Sequence, residues 1–85
     1  MKSIHDQRYI EVIALVRKAR ERSGRTQGEI AQLLGRPQSY VSKVETCERR
    51  IDVVELLQLC RVIGVTLAEV VPAEFRDLLG DAGDG

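Results

Sequence analysis

The sequence predicts an all-α chain of five or six short helices. Two observations carry that prediction. Apolar residues recur at spacings of three and four, the repeat of a helix, rather than in the two-residue alternation of a half-buried strand. Capping-box start signals stand at Thr26-x-x-Glu29, Asp52-x-x-Glu55 and Thr66-x-x-Glu69, each beside an apolar run. No segment reads as a strand.

Taken in order, Tyr9, Val12, Ile13, Val16, Ala19 and Arg20 lie on one stripe and predict a first helix from about Arg8 to Arg22. Ser23-Gly24 ends it, with Gly24 suited to a left-handed cap. The second helix opens at Thr26 and carries Ile30, Ala31, Leu33 and Leu34. It is short because Gly35 and Pro37 interrupt it. Pro37 is expected in the first turn of a third helix, where its missing N–H costs nothing. In that helix Val41 and Val44 face inward, while Gln38, Ser39, Ser42 and Lys43 share the opposite face. The fourth helix shows a stripe of Val53, Leu56, Leu57, Cys60 and Ile63 and stops at Gly64. A fifth starts at Thr66 with Leu67, Val70 and Val71. Pro72 then opens a last turn or two bearing Phe75, Leu78 and Leu79. Residues 1–80 are expected to form one domain, and residues 81–85 a disordered polar tail.

At 85 residues and 44% hydrophobic content, the chain can build one small core without staples. The net charge of zero hides a split. Residues 1–50 hold 11 Lys/Arg against 6 Asp/Glu, whereas residues 51–85 hold 2 against 7. A basic half can face a polyanion while the acidic half repels it. Cys47 and Cys60 have no CxxC spacing and His5 lies far from both, so neither a metal site nor nucleophilic catalysis is expected, and no cofactor. Counting leaves a disulfide open, although reduced thiols suit a cytosolic chain. No apolar run is long enough to span a membrane and the N-terminus lacks an apolar signal core, so a cytoplasmic protein is expected.

The stretch 26–45 now has a recognisable pattern: Thr26, Gln27, Glu29, Ile30, Ala31, then Gly35 at a turn, then Ser39, Val41, Ser42, Val44 and Glu45. It resembles the helix-turn-helix of the Cro and phage-repressor family, also called the XRE family. The resemblance covers roughly residues 8–71. It implies a lambda-repressor-like five-helix DNA-binding domain, here with a short C-terminal helical extension, and a recognition helix at about residues 37–45. The base-reading role that it implies falls on Gln38, Ser39, Ser42 and Lys43. Their chemistry agrees: Gln38 can bond adenine N6 and N7, Lys43 can reach guanine O6 and N7, and the serines can take either edge.

The resemblance also implies that Gln27 bonds a phosphate and braces the start of the recognition helix. Thr26 lies beside it at a helix N-terminus, which favours anions. Arg25, Arg36, Arg49 and Arg50 flank the motif as expected phosphate contacts. Tyr40 is expected either to clamp a phosphate or meet a thymine methyl, or else to pack against the first helix. Arg20 and Glu45 are implied to form a partly buried ion pair between the first and third helices. Two departures stand out. Gly28 occupies a position where a larger residue is usual. Cys47 occupies one where Gly is frequent, so the loop 46–51 is expected to close differently.

A single domain of this kind contacts few base pairs, so a homodimer on a palindrome is expected, joined through Leu67, Val71, Phe75, Leu78 and Leu79. The function expected is a sequence-specific, double-stranded DNA-binding transcriptional regulator with no enzymatic activity. The alternatives are the antitoxin of a toxin–antitoxin pair, with a toxin as protein partner, and a restriction–modification controller protein.

Overall fold

In the computed structural model, residues 6–80 are described, and they hold four α-helices and two 3-10 segments with no strand among them. Helix α1 spans Gln7–Ser23, α2 Gln27–Leu34, α3 Gln38–Glu45 and α4 Val53–Ile63. The 3-10 segments are Leu67–Val70 and Ala73–Leu79. The tail expected to be disordered, residues 81–85, lies outside the described residues, as does His5. Among the described residues no helix is long and apolar enough to cross a membrane.

Local chemistry sets most of the helix ends. The Asp6 carboxylate accepts from the Arg8 N–H at 2.8 Å and caps α1. The Arg8 side chain and N–H hold that carboxyl below its ordinary pKa. The expected capping boxes at Thr26/Glu29 and Asp52/Glu55 are both closed. Gly24 takes φ +79° after α1, and Gly64 takes φ +88° after α4.

The core sits where α1, α2, α3 and α4 meet. Ile13, Val16 and Ala19 enter from α1, Ile30 and Ala31 from α2, Val41 and Val44 from α3, and Leu59, Cys60 and Ile63 from α4. Val70 closes the far side, packed with its segment against α1. Both cysteines are free thiols. Burial pushes the thiol pKa of each upward, which keeps both protonated.

Three expectations need correction. Pro37 is the residue before α3, with an extended ψ of 154°, and the helix proper starts at Gln38. Its carbonyl still accepts the Tyr40 N–H at 3.0 Å, so the missing donor lies outside the ladder either way. The inward stripe of α4 is Leu56, Leu59, Cys60 and Ile63. Val53 and Leu57 are 66% and 47% exposed. The helix carries more apolar residues than one face can bury, and contact with α1 and α2 selects which of two overlapping stripes turns inward. The fifth helix is a single 3-10 turn, because Val71 precedes Pro72 and is held extended at ψ 123°.

Candidate nucleic-acid interface

Helices α2 and α3 form a helix-turn-helix corner. Gly35 makes the turn at φ +71°, and the Arg36 N–H returns to the Ala31 carbonyl at 2.9 Å. Non-glycine residues reach that conformation at a cost of about 1 kcal/mol, which explains Gly35. The two helices then pack closely. Val41 and Val44, each 1% exposed, pin the inner side of α3. Gln38, Ser39 and Lys43 are exposed and Ser42 is half-buried, so the four expected base readers share one outer side. The Lys43 ammonium meets no carboxylate among the described residues.

A buried polar network fixes how α3 is held. Glu45 receives Arg20 Nε at 2.6 Å on one carboxylate oxygen and Arg20 Nη2 at 3.0 Å on the other. Arg20 Nη1 reaches on to the Arg25 carbonyl at 2.8 Å. The expected ion pair is therefore bidentate and linked to the loop before α2. The Glu45 bond raises the pKa of Arg20. The family resemblance has Gln27 brace the start of the recognition helix. Instead its Nε2 donates to Glu45 Oε1 at 2.9 Å, so it braces the last residue of α3 rather than the first. A carboxylate offers about four lone-pair sites, and Glu45 uses this surplus to tie α1, α2 and α3 at one point.

The remaining flank residues divide. Arg25 is exposed, and its guanidinium meets no carboxylate among the described residues. Thr26 is exposed, with its hydroxyl accepting the Glu29 N–H at 3.1 Å while Glu29 accepts the Thr26 N–H at 2.8 Å. Gly28 lies under the Gln38 carboxamide, whose Oε1 would stand 3.5 Å from a Cβ at that position. That is ordinary van der Waals contact, so the glycine leaves room for Gln38 without being required by its backbone.

Tyr40 belongs to the core, 7% exposed. The guanidinium carbons of Arg36 and Arg49 stand over the ring, 4.3 and 4.8 Å from its centroid. Burial pushes the Tyr40 phenol above its ordinary pKa; nearby Glu55 adds to this, and the two arginines oppose it. Arg50 covers the Tyr9 ring at 4.2 Å, and the Tyr9 hydroxyl accepts the Ile51 N–H at 3.0 Å, which ties the loop to α1. Sequence reasoning gave no such role to Tyr9 or Glu55. Tyr9 was visible only as an apolar stripe member and Glu55 only as a capping partner.

The loop after α3 closes as a glycine would close it. Cys47 takes φ +63°, its N–H bonds the Val44 carbonyl at 3.1 Å, and the Glu48 N–H bonds Lys43 at 2.9 Å. The expectation of a different closure is thus corrected: half-burial of Cys47 against the core offsets a backbone cost of about 1 kcal/mol. Among the described residues no group of His, Cys, Asp and Glu could hold a metal.

This corner, with a braced helix showing a short polar face, defines a helix-turn-helix protein. A family profile for the helix-turn-helix domain matches residues 13–73. A solved structure, an XRE-family like protein from Pseudomonas syringae pv. tomato str. DC3000, is similar at 40% sequence identity with a TM-score of 0.76. The match covers 93% of this chain and 94% of that one. The search of curated proteins returned no match. The chain belongs to the XRE family of helix-turn-helix proteins, and its function at the coarse level is that of a DNA-binding regulator.

Proposed function

We propose that this protein binds a palindromic operator as a homodimer and regulates transcription by occupancy. The observation that carries the reading is α3 itself. Its inner residues are buried, its last residue is locked by Arg20 and Gln27, and Gln38, Ser39, Ser42 and Lys43 are left on the outside. A rigid helix with short polar side chains suits the major groove, where donors and acceptors of each base pair are distinct. Arg25, Thr26, Arg36, Arg49 and Arg50 are assigned to backbone phosphates; Gln27 supports α3 from behind.

Selection of binding sites from random duplexes tests this. The winners should contain two inverted half-sites spaced by about one helical turn, ~34 Å. With ~4 phosphate contacts per subunit, log affinity should fall against log salt with a slope near −7 per dimer. Recovery of no consensus, or a flat salt response, would remove the reading. For the dimer, Leu67, Leu78 and Leu79 are exposed and Val71 and Phe75 half-buried, which leaves apolar surface for a second copy. Sedimentation of the wild type beside Leu78→Glu reads this out, with loss of self-association expected in the variant.

A further inference from the structure

We propose that Arg36, Arg49, Tyr40 and Glu55 form one preassembled phosphate clamp, in which Glu55 is the resting counter-ion whose role a DNA phosphate takes over on binding. The inference rests on the duplex-binding reading above and goes further, because it assigns Glu55 as the competitor that sets the strength of this contact.

The cluster brings together the turn before α3, the first turn of α3, the loop after it and the first turn of α4. Arg36 and Arg49 both stand over the Tyr40 ring. Two cations on one ring repel each other, and an anion between them relieves that repulsion. Glu55 Oε2 serves as that anion, 3.7 Å from Arg36 Nη2 and 3.4 Å from Arg49 Nη1. These separations exceed the ~2.7–2.9 Å of a charge-assisted hydrogen bond. The carboxylate attracts both cations without a tight bond to either. Arg49 Nη1 donates instead to the Arg50 carbonyl at 3.2 Å.

Exposure gives the cluster a direction. Both arginine side chains are 40% exposed, whereas Glu55 is 15% exposed and lies behind them. Its other oxygen is occupied by the Asp52 N–H at 2.9 Å, which holds Glu55 in its place behind the arginines. A phosphate arriving from solvent therefore meets two planar donor forks already stacked and oriented. It carries the same single charge as the carboxylate whose attraction it replaces. Tyr40 is a positioning residue here: its ring keeps the guanidiniums in place while the anion changes.

The experiment measures affinity of the full-length protein for a short duplex of scrambled sequence at low salt. The proteins compared are the wild type, Glu55→Gln, Arg36→Ala/Arg49→Ala and the triple variant. Gln at this position still closes the capping box, so the fold is retained, and thermal melting checks it. Glu55→Gln is expected to bind about fivefold tighter, the scale set by one partly exposed ion pair. The gain should vanish when Arg36 and Arg49 are absent. Unchanged binding by Glu55→Gln overturns the clamp while leaving the DNA-binding reading intact. A gain that persists in the triple variant also overturns it, since the effect is then only the loss of a negative charge near DNA. A wild type that binds no duplex removes the underlying reading and the clamp with it.

Discussion

The α2–α3 corner and the α4 helix with its following segments solve the same problem in different ways. In the corner, apolar residues and buried surface nearly match. Ile30, Ala31, Val41 and Val44 are all at or below 2% exposure, while Leu34 is half-buried and Leu33 is 53% exposed. In the later region, Val53, Val54, Leu57, Leu67, Leu78 and Leu79 stay exposed. The first region is finished by its own contacts. The second has apolar side chains left in solvent. The difference teaches that the corner buries most of its apolar side chains within this domain, whereas the C-terminal segments leave several of theirs in solvent.

Substitutions can break that contrast. The largest effect is expected for Arg20→Ala, which strands Glu45 beneath the corner. Loss of one partner of a buried pair costs about 3–5 kcal/mol, read by urea or thermal unfolding. An unchanged melt together with unchanged operator affinity would show that Gln27 alone suffices to hold α3. Next, Ile63→Ala removes a fully packed side chain and should cost about 2–4 kcal/mol. Leu57→Ala, on the same helix, should stay within about 0.5 kcal/mol for the isolated subunit. If the two variants melt alike, α4 does not have the two unlike faces described.

Lys43→Ala tests the outward side of the corner. It should leave the melt unchanged and relax preference at one base position, by about 1–3 kcal/mol of discrimination. The smallest effect is expected at Cys47→Gly. Relief of the left-handed backbone, worth about 1 kcal/mol, is opposed by the greater unfolded-state freedom of glycine and by lost packing. A melt within a few tenths of a kcal/mol of wild type is expected; a large loss would make Cys47 a packing residue first.

Much of the corner was legible because its signals are local. A capping box, a left-handed glycine and a three-four apolar repeat each act within one or two helical turns. Helices α1 to α4 therefore fall close to where the sequence puts them, and the Arg20–Glu45 pair was implied by the family resemblance. The errors fell where two local solutions compete. Val53 and Leu57 fit a helical stripe as well as Leu56 and Leu59 do, and only the neighbours of α4 decide between them. The burial of Tyr40 was likewise set by packing rather than by its place in the sequence. Gln27 turned inward because Glu45, 18 residues away, had an oxygen to offer.

The sequence by itself determined that the chain is helical, where its helices start and stop, and which side of residues 38–43 is polar, since all of these follow from interactions between near neighbours. Only the tertiary structure decided that Gln27 joins Arg20 on Glu45, that Arg36 and Arg49 share the Tyr40 ring before Glu55, and which face of α4 turns inward. Those outcomes depend on charges and volumes brought together from distant parts of the chain, and no spacing rule encodes a distance that only packing creates.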